Sequence, residues 1–244
     1  MVILDCDVGN TRCKWRMLSG SAVVASGQFS HRDGFGDLVL VPAPERVRVA
    51  SVASDHVLAA LMARLQDVGV EPEFAVSRAE ECGVVNGYDV PEKLGVDRWL
   101  AIVAAFRRKQ KAVLIVDAGS ALTVDAVNVD GAHMGGYILP GAAYMRDSLL
   151  SNTGGVEFNP KAKAFGLDWG RTTQAAVDAG VLSAQVGVVL VAVDTAKEQL
   201  GNDFELVLTG GDAESIRAHL PNNINVEVEV VAELVLDGLG WVLP

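Results

Sequence analysis

The chain has 244 residues, of which 50% are hydrophobic and 21% are charged. This length and composition suit one large domain or two of about 100–130 residues each, and they exclude a disordered chain. The net charge of -11 argues against a non-specific nucleic-acid-binding protein, which needs a basic face. An anionic substrate is still compatible with this charge, because a cluster of backbone N–H groups can bind an anion locally.

Cysteine usage and the start of the chain indicate an intracellular protein. The three cysteines are Cys6, Cys13 and Cys82, and no C-x-x-C motif is present. We therefore expect neither disulfides nor a structural zinc site, and a reducing compartment. No basic segment precedes an apolar one at the start, so we expect no signal peptide.

The most apolar region of the sequence is 179–193. It is interrupted by Ser183 and Gln185 and flanked by Asp178 and Asp194. A bilayer span takes about 20 apolar residues, so this region predicts a buried or interface helix rather than a membrane span. We expect a soluble, cytoplasmic protein with no membrane partner.

The first part of the chain predicts a strand meander followed by alternating strands and helices. Apolar runs with period two predict strands, and apolar residues spaced three and four apart predict helices. The predicted elements are strands at 2–4, 13–18, 23–29 and 46–52 with a turn at 8–10, a helix at 55–67, a strand at 73–76, a surface loop at 77–96 and a helix at 97–109. A loop as long as 77–96 indicates a functional segment.

The pattern then restarts near Lys111. The predicted elements are strands at 112–117 and 122–127 around a turn at 119–120, a strand ending in "GGYILPG", a helix from about Ala142, a loop, a helix at 172–196, strands at 205–209 and 226–230, and a final helix to Leu239. We therefore predict an α/β fold of two similar domains, 1–111 and 112–244.

Two stretches of the sequence have the same form. "DCDVGNT" (5–11) and "VDAGSALT" (116–123) each contain an apolar run, an Asp, one further residue, a Gly and a small polar residue. Asp7 and Asp117 both fall where a predicted strand gives way to a turn. We interpret the two motifs as equivalent parts of a duplicated unit.

The repeated motif has the chemistry of a phosphate site. Glycine allows a ligand to approach the backbone, and turn N–H groups form a concave anion site. A strand-end carboxylate binds Mg²⁺, which in turn bridges phosphates, and Lys14 adds positive charge. Either motif alone is more typical of an ordinary hairpin turn. The pair favours two turns that hold a nucleotide–metal polyphosphate between two domains.

Two further stretches leave two interpretations open. In "LVLTGGDA" (206–213), Gly210 and Gly211 leave room for a flat ring or a phosphate, or they form a plain strand–helix connection. In "GYDVPEKLGVDRWL" (87–100), Asp97 is a helix N-cap or a base that accepts a proton from a substrate hydroxyl. Arg98 is likewise a solvated helix residue or a partner for a substrate carboxylate.

The histidines, the tryptophans and a search for two known motifs indicate no further site. The four histidines show no metal spacing, and we expect them in loops or on exposed helix faces. The four tryptophans are scattered, which is typical of packing. The sequence contains neither the G-x-S-x-G of a nucleophile elbow nor the G-x-x-x-x-G-K of a P-loop.

Six motifs taken together resemble the type III pantothenate kinases of the acetate and sugar kinase/Hsp70/actin superfamily. They are "DVGNTRCKW", "YDVPEKLGVDR", "DAGSALTVD", "GGYILPG", "GRTTQAAVDAG" and "TGGDA", in this order. The resemblance implies two actin-like (ribonuclease H-like) domains, each a mixed sheet led by a β-hairpin and flanked by helices. It also implies a homodimer that phosphorylates pantothenate to 4'-phosphopantothenate with ATP, the first step of coenzyme A biosynthesis.

The resemblance assigns the nucleotide site. Its first motif implies contacts to ATP from Asp7, Val8, Gly9, Asn10, Thr11, Arg12, Cys13 and Lys14. Asp7 also holds Mg²⁺ through water, and Asp117 holds a monovalent cation, K⁺ or NH₄⁺. Ser120 keeps the phosphate-binding hydroxyl of the second motif, whereas Leu122 stands where the family has a further hydroxyl. Gly210 and Gly211 form the adenosine motif.

The resemblance also assigns the acceptor site. Pantothenate is implied to lie against Gly95, Val96, Asp97 and Arg98, with Asp97 as the base and Tyr88 nearby. Thr173 is implied to touch the substrate across the dimer interface, next to Thr172, where the family often has Asn. Two alternatives remain: a superfamily kinase or phosphatase with another substrate, and a non-catalytic member resembling accessory factors of transcription.

Overall fold

The computed structural model describes residues 1–66, 68–152 and 166–244, with the backbone alone for residues 33 and 150–152. The loop predicted before the helix at 172–196 lies largely outside these residues. The chain divides into two compact units: unit 1 contains residues 1–108 and 233–244, and unit 2 contains residues 109–232. The first boundary lies close to the predicted one, whereas the C-terminal segment packs with unit 1.

Unit 1 is built around a five-stranded mixed sheet. Its elements up to residue 109 are β1 (Val2–Val8), β2 (Arg12–Ser19), β3 (Ala22–Ser30), β4 (Arg46–Ser51), α1 (Asp55–Gln66), β5 (Glu73–Phe74), β6 (Glu80–Glu81), β7 (Val84–Val85) and α2 (Val96–Lys109). The strand order is β3-β2-β1-β4-β5. Strand β1 pairs antiparallel with β2 and parallel with β4, so a hairpin leads the sheet.

The stretch 77–96, predicted as a loop, contains more structure than expected. Strands β6 and β7 form a separate hairpin, and a 3₁₀ turn covers Pro91–Lys93. The hairpin closes because Cys82 and Gly83 take positive φ angles of 54° and 80°, as a tight two-residue hairpin turn requires. Cysteine rarely adopts this conformation, so the sequence pattern did not reveal the turn.

Unit 2 repeats the plan of unit 1. Its elements are β8 (Val113–Ala118), β9 (Ala121–Val127), β10 (His133–Pro140), α3 (Ala142–Asn152), α4 (Thr173–Leu200), β11 (Glu205–Thr209), α5 (Ala213–His219) and β12 (Glu227–Val230). The strand order is β10-β9-β8-β11-β12. Strand β8 pairs antiparallel with β9 and parallel with β11, so β8 corresponds to β1. The predicted duplication is therefore present.

Each unit has its own core. In unit 1, alternate residues of β1, β2 and β4 pack on α1, with Leu4, Val49 and Leu61 fully buried. In unit 2, β8, β9 and β11 pack on α4 and α5, with Val116 and Leu206 fully buried. The period-two alternation that predicted the strands is thus the alternation between the core face and the opposite face.

Helix α4 is longer than predicted. The Thr172 hydroxyl caps it by accepting a hydrogen bond from the Ala175 N–H at 3.1 Å, and Gly201 ends it at a φ of 81°. Its 28 residues are enough, by length and composition alone, to cross a membrane. The apolar region 179–193 is only part of this helix, so length alone does not distinguish a core helix from a membrane span. Half of its most apolar stretch is buried inside the protein, as in a core helix.

The last helix, α6 (Leu234–Val242), packs on the face of β1 and β4 opposite to α1. It also lies close to α2. A Cβ atom at Gly238 would lie only 2.4 Å from the Leu100 carbonyl oxygen, so a side chain would not fit there. The guanidinium of Arg107 lies 4.7 Å from the centre of a Trp241 ring. These contacts explain why the end of the chain belongs to unit 1.

A buried ion network joins β1 to α6. Asp5 is fully buried and accepts hydrogen bonds from Arg48 Nε at 2.7 Å and from Arg16 Nε at 3.0 Å. Arg16 Nη1 donates to Asp237 at 2.6 Å, and Arg48 Nη1 donates to the Leu243 carbonyl at 2.8 Å. Burial lowers the pKa of Arg16, but its bonds to Asp237 and Asp5 raise the pKa by more, so this guanidinium stays charged.

We expect Asp5→Asn to lower the free energy of unfolding by about 3–5 kcal/mol, because it leaves the buried guanidinium of Arg48 and the partly buried guanidinium of Arg16 without their shared carboxylate. The matched control is Glu73→Gln, which breaks the exposed pair between Glu73 and Arg46, joined at 2.6 Å. That change should cost less than about 1 kcal/mol. Urea unfolding measures the free energy of unfolding of both variants. If both variants lost the same free energy, the Asp5 network would not be what holds α6 to the sheet.

Candidate functional site

The first Asp-x-Gly motif forms a compact turn between β1 and β2. Asp7 and Lys14 are directly opposite each other in the antiparallel register, so their side chains share one face of the sheet. The Gly9 N–H donates to the Arg12 carbonyl at 3.0 Å. Val8, predicted in the turn, belongs to β1, and the connection runs over residues 9–11. A carboxylate and an ammonium group thus lie on one face of the sheet beside the turn.

The residues of this turn that were predicted to contact phosphate differ in their exposure to solvent. Val8 and Cys13 are fully buried in the core of unit 1, and the Val8 carbonyl accepts a hydrogen bond from the Val52 N–H at 3.2 Å, so neither residue presents an accessible group to a ligand in this structure. Asn10 and Arg12 are exposed, and Thr11 is partly exposed. Lys14 Nζ lies 3.8 Å from a Glu233 carboxylate oxygen, at the start of the C-terminal segment.

His31 contacts this turn, although no sequence motif pointed to it. Its Nε2 lies 2.9 Å from the Gly9 carbonyl oxygen, and the residue is only 8% exposed. His133 is also buried, 2.9 Å from Asp125. The expectation that all four histidines lie in loops or on exposed faces is therefore wrong for these two.

The second Asp-x-Gly motif forms the equivalent turn between β8 and β9. Asp117 lies at the end of β8, opposite Thr123 on β9 and Thr209 on β11. The Gly119 N–H donates to the Ala121 carbonyl at 2.9 Å, and Ser120 is exposed at the tip. Leu122 is buried, so its side chain belongs to the core rather than to the site.

Two glycines from elsewhere in unit 2 pack directly on this second turn. A Cβ at Gly141 would lie 2.2 Å from the Gly119 carbonyl oxygen, and the start of α3 therefore rests on the turn. A Cβ at Gly210 would lie 2.5 Å from Asp117 Oδ1, and Gly210 also has a φ of +91°. Side chains are excluded at both positions. Gly211 is different, because nothing lies within 4 Å of its Cβ position.

The long loop and the start of α2 bring residues of the predicted acceptor site in unit 1 together. Asn86 is buried and donates to the carbonyls of Arg78 at 3.1 Å and Pro91 at 3.2 Å, and its side-chain oxygen accepts from the Tyr88 N–H at 3.0 Å. Arg98 Nη1 then donates to the Tyr88 hydroxyl at 2.5 Å. Asn86 thus holds the loop that carries Tyr88, a role that no local motif revealed.

Asp97 lies in the first turn of α2, where the helix dipole favours a carboxylate. Gly95 is the residue that caps the helix, since its carbonyl accepts from the Trp99 N–H at 2.9 Å. Asp97 Oδ1 accepts from the Arg98 N–H at 2.8 Å, and a Cβ at Gly95 would lie 2.6 Å from the same oxygen. Glycine at 95 therefore makes room for this carboxylate, and Val96 beside it is buried.

Thr173 lies in unit 2, at the first position of α4, and lines an apolar cavity of about 440 Å³ with Met145 and Leu149 of α3. A second apolar cavity of about 570 Å³ lies further along α4, beside Ile138 of β10. Ala184 lines both cavities. One apolar surface of unit 2, formed by α3, β10 and α4, therefore begins at Thr173.

Among the residues that the structure describes, no three His, Cys, Asp or Glu side chains form a metal-binding cluster. Asp7 and Asp117 each supply a carboxylate, which suits hard cations that complete their shell with water, backbone oxygen or phosphate oxygen. This donor set fits Mg²⁺ and monovalent cations rather than zinc.

The fold and the two turns define the class of the protein. Two hairpin-led five-stranded sheets with equivalent strand order, each with an Asp-x-Gly turn, make a two-domain actin-like fold. Solved structures support this fold. A proposed 2-dehydro-3-deoxygalactonokinase from Sinorhizobium meliloti aligns with a TM-score of 0.59 at 16% identity over 98% of this chain and 97% of that chain. A proposed Baf family transcriptional activator from Campylobacter jejuni aligns with a TM-score of 0.60 at 21% identity over 98% and 96%.

Sequence comparison identifies the family. The model of the type III pantothenate kinase family matches residues 3–195. A type III pantothenate kinase from Ectopseudomonas mendocina is 38% identical over 254 aligned positions, which cover 100% of this chain and 99% of that protein. The chain belongs to the type III pantothenate kinase family.

Proposed function

We propose that the protein transfers the γ-phosphoryl group of ATP to the primary hydroxyl of pantothenate, which yields 4'-phosphopantothenate, the first intermediate on the route to coenzyme A. The observation that carries the proposal is the full-length match to the family together with the cluster of Asp97, Arg98 and Tyr88 at the start of α2. A protein that only binds its ligand, without catalysis, does not need the Asp97 carboxylate to be held next to the guanidinium of Arg98.

In the proposed reaction Asp97 accepts the proton of the substrate hydroxyl as the hydroxyl oxygen attacks the γ-phosphorus. The bond from that phosphorus to the oxygen bridging it to the β-phosphorus breaks, and ADP leaves. Phosphoryl transfer requires alignment and charge neutralisation more than covalent chemistry from the protein. Arg98, buried and bonded to Tyr88, is placed to bind the pantothenate carboxylate, with Gly95 and Val96 forming the adjacent backbone.

We assign a phosphate-binding role to the glycine turn of each unit. In unit 1 the N–H groups of Asn10 and Thr11 and the Lys14 ammonium supply positive charge. Mg²⁺, held by Asp7 through water, would neutralise phosphate charge when bound. In unit 2 Ser120 offers a hydroxyl and N–H group, Asp117 would hold K⁺ or NH₄⁺, and the open space at Gly211 beside Gly210 suits the adenosine.

We also propose that the protein is a homodimer through the apolar surface of α3, β10 and α4. Ile138 and Val191 are 62% and 60% exposed there, and the two cavities on either side of Ala184 can receive apolar side chains. Burying such side chains is the usual driving force of association. Thr173, at the edge of this surface, would then contact pantothenate bound to the partner subunit.

The other functions are less well supported. The Campylobacter structure described as a transcriptional activator shares only the fold, and the net charge of -11 disfavours a nucleic-acid partner. A different acceptor would not explain the Gly-x-Asp-Arg cluster next to Tyr88. We therefore propose a cytoplasmic enzyme whose partners are pantothenate, ATP and a second copy of itself, without a nucleic acid or a membrane.

We expect Asp97→Asn to lower kcat by about 100-fold or more, because the amide cannot accept the proton of the hydroxyl. The assay is ATP-dependent consumption of pantothenate in K⁺ and, in parallel, in Na⁺. The matched control is Asp89→Asn, an exposed carboxylate of the loop that precedes α2, which should leave kcat unchanged. An Asp97→Asn variant as active as the parent would remove Asp97 from the reaction.

We expect the parent protein to sediment at about twice its subunit mass of 25.7 kDa, and Ala184→Arg to sediment as a monomer. The arginine places a charge between the two apolar cavities, where association would bury it unpaired. Gln199→Arg adds the same charge at an exposed position near the end of α4 and should remain dimeric. A parent that is monomeric at micromolar concentration contradicts this interface.

A further inference from the structure

His31 is a buried polar residue that the proposed reaction does not use. Its Nε2 lies 2.9 Å from the Gly9 carbonyl oxygen, in the turn that we assign to the ATP phosphates. A carbonyl oxygen only accepts hydrogen bonds, so Nε2 carries the proton and donates it. The residue is 8% exposed, which limits competition from water for this bond.

The strand register explains how the chain brings His31 to the turn. Ser30, the last residue of β3, pairs with Arg12, the first residue of β2. The next residue therefore lies beside the β1–β2 connection. There the chain leaves the sheet in a 3₁₀ turn over His31–Asp33, which closes when the Gly34 N–H donates to the His31 carbonyl at 3.0 Å. Gly34 takes a φ of +91°, a conformation that favours glycine.

Aromatic packing fixes the orientation of the imidazole. The His31 ring stacks on Phe35 with centroids 5.9 Å apart and planes 9° from parallel. Phe35 is buried and meets Phe29 of β3 edge to face, with centroids 5.7 Å apart. The ring is therefore held by the core of unit 1 rather than by the turn that it contacts.

The hydrogen bond from His31 also sets the direction of the neighbouring Asn10 N–H. The Gly9 carbonyl and the Asn10 N–H belong to one planar trans peptide, so the two groups point in opposite directions. While His31 binds the carbonyl, the Asn10 N–H is directed away from His31. This N–H is one of the donors that we assign to the phosphates, and a fixed direction reduces the ordering cost of binding an anion.

We propose that His31 is a positioning residue for the first phosphate turn, which orients the Gly9–Asn10 peptide for nucleotide binding. The inference rests on the proposed function, because it concerns the same nucleotide site. It predicts an effect on nucleotide affinity and none on pantothenate affinity, since His31 lies at the turn and not at the loop that carries Tyr88.

His31→Phe tests the proposal, because phenylalanine keeps the stacking on Phe35 and removes only the donor. We expect KM for ATP, and Kd for a non-hydrolysable ATP analogue measured by calorimetry, to rise about 3- to 10-fold, the range for one lost hydrogen bond. KM for pantothenate should stay within about 2-fold of the parent, as unrelated sites behave independently. His31→Gln, whose amide can donate, should restore part of the loss.

The control is His56→Phe, at an exposed position of α1, which should change neither constant. If His31→Phe retains its melting temperature and binds the analogue like the parent, the positioning role is wrong while the kinase function stands. If both KM values rise together with a lower melting temperature, the role is only structural. A parent that neither binds the analogue nor consumes pantothenate instead refutes the proposed function.

Discussion

The central strand of each unit is the constraint on which the candidate site depends. Strands β1 and β8 each pair antiparallel with the next strand and parallel with a later one. A carboxylate at the end of such a strand therefore lies beside a hairpin turn on one side and beside the end of a parallel strand on the other. This backbone pairing places Asp7 next to Lys14, and Asp117 next to the turn that ends in Ser120.

Contacts from distant parts of the chain then hold the two turns in place. In unit 2, Gly141 and Gly210 let the backbone approach so closely that a side chain at either position would overlap the second turn. In unit 1, Asp5 lies two residues before Asp7 on the same face of β1 and is bonded to Arg48 and Arg16, so the strand that carries Asp7 also anchors α6. Fold stability and site geometry therefore depend on the same strands.

Structural features that depend on the local sequence pattern were predictable from the sequence. Features that depend on contacts between distant residues were not. Strand alternation and the repeated Asp-x-Gly motif predicted both hairpins and the duplication, and the motif series predicted the family. The packing of α6 on unit 1 was not predictable, because it rests on Asp237, more than 200 positions from its partner Arg16. The roles of His31 and Asn86 were hidden for a different reason: each bonds to backbone carbonyls, which carry no residue-type signal.

Nucleotide titration followed by backbone amide NMR tests the central claim most directly, because it reports on each turn separately. With Mg²⁺ and a non-hydrolysable ATP analogue, the account predicts large shifts for the amides of Gly9, Asn10 and Thr11 and for those of Gly119 and Ser120. Pantothenate alone should instead shift Tyr88, Asp97 and Arg98. Saturation with the analogue while both glycine turns keep their shifts would contradict the account.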